Sequence, residues 1–264
     1  MPVNEASALF ISPEPHKPMA EITHLTKAPL VEALIDLRVQ LQTPFDISRL
    51  DAIHDKIIDS YPTKAVLKKF SGRIDFTDEG ASPKMDLAEL HGYRYTSSDK
   101  TFVFQARADG FTLSRLRPYS FWEDLVEEAK RLWAIYVEAA GVELVIRVAV
   151  RYINRMEISL PIVDFAEYLT CPPVIPERLP QALSSFLMRF VMHDDANDIS
   201  AIVTQSLEES PTPVAALILD IDAFKEGSYE VQAGEWWAVL ATLREFKNRV
   251  FFSSVTEKTL ELFR

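Results

Sequence analysis

From Val31 to Leu41 the chain alternates: Val31, Ala33, Ile35, Leu37, Val39 and Leu41 share one face, with Glu32, Asp36, Arg38 and Gln40 among the residues on the other. A strict period of two over this length predicts a half-buried β-strand. From Asp46 the period changes, and Ile47, Leu50, His54, Ile57, Ile58 and Tyr61 form one helical stripe that Pro62 helps to end. Short alternating segments follow: KKFSGRIDFT, HGYRYTSS, TFVFQARA and GFTLSRLRP. Turns at Ser97 to Lys100 and at Asp109-Gly110 are short enough to make these strands antiparallel neighbours. SFWEDLVEEAKRLWAIYVEAAG then predicts a helix. Ser120 and Glu123 form a capping-box pattern, an apolar stripe runs from Trp122 to Val137, and Gly141 stands where a C-cap belongs.

The second half repeats this order in pattern, though not in identity. A strand from Leu144 to Ile158 leads to a proline-interrupted helical region from Asp164 to Ser185. The strands FLMRFVMH, ISAIVTQSL and VAALILDIDAF follow, and then a helix through EWWAVLATLREFKNRVFF. Phe121-Trp122 heads one helix and Trp236-Trp237 the other, and nearly the same offset aligns VEALIDLRV with VAVRYINRM. The expected fold is therefore α+β: two degenerate copies of a strand, helix, antiparallel-strands, helix unit, with helices packed on antiparallel sheet. The expected division is a flexible tail at 1–25, a first half at 26–141 and a second at 142–264, two halves that can equally form one fused domain.

Composition narrows the function classes. Hydrophobic residues make up 48% of 264, enough for a sizeable core. A net charge of -11 repels phosphate backbones and anionic lipid, so nucleic-acid binding would need a local basic patch. No apolar run approaches the roughly 20 residues of a spanning helix, and MPVNEASALFISPEPHKP has no basic start. The single cysteine, Cys171, can form no intramolecular disulfide, which fits a reducing compartment. A cytoplasmic protein without membrane association is expected.

The candidate chemistry centres on RVAVRYINRMEI. As a strand it puts Val148, Val150, Tyr152, Met156 and Ile158 toward a core with Asn154 as the polar exception, and Arg147, Arg151 and Arg155 on the other face. Those arginines meet either an anionic ligand or the protein's own acids; Asp220 and Asp222 in LILDIDAF, with Glu32 and Asp36, offer cross-strand partners. Arg147, Arg151, Arg155, Asn154, Asp220 and Asp222 are accordingly the candidate binding residues. DIDAFK resembles the metal strand of diguanylate cyclases, onto which Asp220 would map as a ligand, but no Gly-rich turn follows in a chain with 7 glycines and no adjacent pair. His193-Asp194-Asp195 has turn composition, and His54 lies on an apolar stripe. No Ser-His-Asp signature, HExxH or phosphate loop is present, so no catalytic residue, metal or cofactor is assigned. Tyr93, Tyr95, Phe102 and Phe104 beside Arg107, Arg115 and Lys64 could suit single-stranded nucleic acid if exposed.

KAPLVEALIDLRV, FQARADGFTLSRLRPYSFWEDLVEEAKRLW, VAVRYINRMEI and LILDIDAF with its WW-headed helix resemble a family of uncharacterised, sporadically distributed bacterial proteins. The resemblance covers nearly the whole chain after residue 25 and implies no reaction or cofactor; a patchy distribution implies mobile genes, including toxin–antitoxin or phage-defence neighbourhoods. The expected function is a non-enzymatic binding or interaction protein that holds a protein partner or itself. The alternatives are an anionic nucleotide or phosphate ligand on the arginine face, and single-stranded nucleic acid.

Overall fold

The computed structural model describes residues 25, 27–69, 72–77, 80–85, 89–119, 121–208 and 214–264, with backbone alone for 72–77 and 80–85. The first half runs β1 (Leu30–Leu41), a 3-10 turn (Ile47–Ala52), α1 (Ile53–Ile57), β2 (Thr63–Lys69), β3 (Gly72–Thr77), β4 (Gly80–Met85), β5 (Glu89–Thr96), β6 (Phe102–Arg107), β7 (Gly110–Leu116) and α2 (Trp122–Ala140). The second runs β8 (Val142–Ser159), β9 (Phe186–Asp194), β10 (Ile199–Glu208), β11 (Val214–Glu230), α3 (Trp236–Ser254) and α4 (Glu257–Glu261).

The fold is α+β, built on one antiparallel sheet of nine strands in the order β2-β5-β6-β7-β1-β8-β11-β10-β9, with β3 and β4 paired separately. Both halves therefore share a sheet, joined where β1 pairs with β8. Outward from β1 lie β7, β6 and β5; outward from β8 lie β11, β10 and β9. α2 packs on β7 and β1, and α3 on β11 and β8, so both long helices cover the same face.

The alternation read in β1 explains this layering. Ala33, Ile35 and Leu37 are fully buried under the helices, while Arg38 and Gln40 point to the open face. β8 repeats it with Val148, Val150, Tyr152 and Met156 inward. The helix stripe meets them with Leu125, Ala129, Leu132 and Tyr136 fully buried. Trp133 and Trp236 meet edge-on, ring centres 5.1 Å apart, which joins α2 to α3 across the core. Gly141 ends α2 in a left-handed conformation at φ 66, its amide donating to the Val137 carbonyl at 2.9 Å.

Three expectations need correction. The helix expected from Asp46 is a 3-10 turn followed by a five-residue α-helix. Residues i and i+3 eclipse in a 3-10 turn, so Leu50 and Ile53 share a buried face and mimic a longer α-helical stripe. The helical region expected from Asp164 to Ser185 holds only a 3-10 turn at Phe165–Glu167. Pro172, Pro173, Pro176 and Pro180 lack an N–H and push the residues before them out of the helical region. β11 runs on to Glu230, past the Phe224 at which the alternation was read to stop. The capping box falls on Ser120, which is outside the described residues, as is the expected tail apart from Leu25.

Candidate functional site

The open face of the sheet carries the arginines. Arg147 Nη2 donates to Asp222 Oδ2 at 2.8 Å and Nη1 to Asp36 Oδ2 at 3.4 Å, so one guanidinium bridges β1 and β11 from the strand between them. Arg151 grips Asp220 with two donors, Nε at 2.8 Å to Oδ1 and Nη2 to Oδ2. Arg155 pairs with Glu157 on its own strand. Arg107, from β6, reaches Asp36 Oδ1 at 2.9 Å and Asp109 at 3.0 Å, and also bonds Thr112. These are charge-assisted bonds on a partly screened surface, stronger than neutral ones and partly offset by desolvation.

Two pKa directions show that balance. Burial pushes the Asp222 carboxyl above the usual carboxylate range, and Arg147 opposes the rise without cancelling it. Burial disfavours the Arg107 guanidinium, but Asp36 and Asp109 outweigh it and hold its pKa above the ordinary arginine value. A groove of about 1030 Å³ lies on this face. Its lining includes Arg38, Arg107, Arg147 and Arg151 against Glu32, Asp36, Asp109, Asp222 and Glu226. Four guanidiniums facing five carboxylates leave no surplus of positive charge there.

Of the six candidate residues, five lie on this face; Arg147 and Asp222, and Arg151 and Asp220, are brought together there, while Arg155 pairs with Glu157 instead. Asn154 lies elsewhere: it is buried on the helix side, where its Nδ2 donates to the Leu219 carbonyl at 3.1 Å and its side chain borders a second cavity. Asp220 and Asp222, the DIDAFK acids, are engaged by Arg151 and Arg147. Among the described residues no group of three or more His, Cys, Asp or Glu side chains is placed to hold a metal, and no helix is long and apolar enough to cross a membrane. Tyr95 and Phe104 are fully buried, so neither offers a face on which a base could stack.

The two edges of the sheet differ. β2 carries Lys64, Lys68 and Lys69, charges of the kind that blunt an edge. β9 pairs with β10 alone among the described strands and reads FLMRFVMHD. Leu187 and Val191, 73% and 48% exposed, point to the open face, while Phe186, Met188 and Phe190 are only half-buried on the helix side. The approach to β9 adds exposed Leu160, Val163, Val174 and Leu179, so among the described residues this strand and the loop before it hold more than half of the exposed large apolar side chains.

A second cavity, of about 850 Å³, lies at the other side of the sheet between the Lys27–Leu30 segment and α3. Sequence reading missed its most unusual residue, Lys247, which is 8% exposed. The available signal was its place on α3, four residues after Leu243 and four before Phe251, inside an apolar stripe. Its ammonium sits 3.5 Å from the centre of the Tyr152 ring. Burial, with Arg244 adding to it, pushes its pKa down to about 7. No protein-family model, curated protein or solved structure matches the chain.

Proposed function

We propose that this is a non-enzymatic binding protein that pairs with a second copy of itself through the edge strand β9. The observation that carries the reading is that β9, paired on one side only among the described strands, exposes Leu187 and Val191 on either side of Arg189 on its open face and has Phe186, Met188 and Phe190 half-buried on the other. An unpaired strand of this kind presents free backbone donors and acceptors together with apolar surface, which is the template for strand addition. A strand that fits beside it must itself be largely apolar. β9 meets that requirement on its helix side and at Leu187 and Val191 on its open face, with Arg189 as the one mid-strand charge, whereas the opposite edge, β2, carries three lysines. Two-fold antiparallel pairing gives a closed, self-complementary contact.

The self-neutralised open face supports the same reading. Arg107, Arg147 and Arg151 have carboxylate partners within the chain, which leaves them as a polar surface between the edges rather than as an anion trap. The two halves are, on this proposal, degenerate copies of one unit. Ile35 and Val150 are direct partners in the β1–β8 pair and stand 115 positions apart, the same separation as Trp122 and Trp237 at the heads of α2 and α3. A chain built by repeating one unit about a two-fold axis extends naturally by a further two-fold at its edge.

Sedimentation equilibrium over a wide concentration range tests the proposal. The expected result is a reversible dimer that Val191→Lys and Leu187→Lys each weaken by about ten-fold or more, the cost of placing a charge at an apolar contact. A monomer at every concentration, or a dimer indifferent to both substitutions, would contradict it.

A further inference from the structure

We infer that the cavity between the Lys27–Leu30 segment and α3 is a binding site for an organic anion with an apolar body, a carboxylate or a phosphomonoester, whose charged head rests against Lys247. Its volume of about 850 Å³ lies within the range of small-molecule sites. The charged side chains among its described lining residues are all cationic: Lys27, Arg117, Arg244 and Lys247. In a chain of net charge -11 that is the reverse of the average surface.

Two of the other cations already have work inside the protein. Arg117 donates to the main-chain carbonyls of Leu30 and Pro29 at 2.9 and 3.1 Å, which pins the cavity wall. Arg244 stands 3.8 Å from Glu123 and stacks near Trp122. Lys247 has neither a carboxylate nor a hydrogen-bond acceptor among the described residues; its contact is the face of Tyr152. Lys225, which lies on β11, shows the alternative, since its ammonium takes both the Asn197 carbonyl and the Asp198 carboxylate. A buried ammonium without an opposite charge is costly, and a bound anion removes that cost. The Tyr119 and Tyr152 hydroxyls, 3.0 Å apart, and the Asn248 amide add neutral hydrogen-bonding groups around it. Leu25, Phe251 and Phe252 supply the apolar wall that fixes the other end of the ligand.

The groups that share the cavity with Lys247 are Arg244 on its own helix, Arg117 and Tyr119 between β7 and α2, Tyr152 on β8 and Lys27 before β1. Burial pushes both tyrosines above the ordinary phenol value, so they stay neutral across the range tested. An anion favours the charged lysine, so its affinity should be highest below pH 7 and fall as the pH rises.

Isothermal titration of the full chain with octanoate and with phenyl phosphate, at pH 6.5 and 8.5, tests the inference, with octanol and octylamine as controls. One equivalent of octanoate or phenyl phosphate should bind, several-fold tighter at pH 6.5, and neither control should compete. Lys247→Met keeps the volume and removes the charge; it should lose about ten-fold or more in affinity and flatten the pH dependence, while Lys225→Met leaves both unchanged. Failure of both anions to bind at millimolar concentration, octanol binding as well as octanoate, or Lys247→Met binding like the parent protein would each overturn the assignment.

Discussion

Arg147 Nη2 donates to Asp222 Oδ2 at 2.8 Å across the β8–β11 pair, and the same guanidinium faces Asp36 on the strand to its other side. The three side chains are 16%, 21% and 15% exposed, so solvent screens them only in part. Arg147→Met should therefore destabilise the fold by about 2–3 kcal/mol, chiefly by leaving Asp222 without its hydrogen-bonded cation, while Asp36 keeps Arg107 at 2.9 Å. Asp222→Asn in the same chain should recover part of the loss. Urea denaturation of both single variants and the double variant measures the coupling.

Lys247 makes stability depend on pH in the alkaline direction. Its folded pKa of about 7 lies below the unfolded value of 10.5, so between those pH values the unfolded state binds more protons than the folded one. Stability contributed at this site is therefore lowest below pH 7 and rises toward pH 10.5, by at most about 1.4 kcal/mol per pH unit. Lys247→Met should remove the slope and raise stability at pH 6. Thermal denaturation from pH 6 to 9.5, compared between the two proteins, checks the sign.

Gly92 marks a close approach between β5 and β6. A Cβ there would lie 2.1 Å from the Ala106 carbonyl oxygen, and the residue holds φ at 156. Gly92→Ala should cost about 2 kcal/mol or more, since main chain must move to admit it. A shift in the urea midpoint with an unchanged slope would report that loss.

β1 was legible because its two faces differ chemically: Ala33, Ile35 and Leu37 go under helices, while Glu32, Asp36 and Arg38 do not; the single strand expected over KKFSGRIDFT instead divides between β2 and β3, which lie in different sheets. The arginine face was legible for the same reason, down to the acids of β11 that answer it. The region from Asp164 to Ser185 was misread because scattered apolar residues at helical spacing carry no information about the prolines' missing donors. Lys247 escaped notice because a single lysine in an apolar stripe reads as one that reaches out to solvent. Its enclosure depends on the Lys27–Leu30 segment, more than 200 positions away in sequence. Asn154 was placed on the right face, and its distance from the arginines follows from strand alternation.

Salt should strengthen self-association. Two chains of net charge -11 repel at low ionic strength, and the contact proposed at β9 contains few charges. Dimer affinity should rise as salt shortens the screening length toward about 8 Å at 0.15 M. Light scattering at 20 and 300 mM sodium chloride would show the change; a contact built on ion pairs would weaken instead.

Hydrogen exchange of the β9 amides, followed by mass spectrometry at protein concentrations from nanomolar to high micromolar, tests the proposed pairing most directly. The amides of Leu187 to Met192 that do not bond β10 should be protected at high concentration and exchange freely on dilution, while those of β2 do not change. Exchange of these β9 amides at the same fast rate at every concentration would contradict the pairing of two copies through this strand.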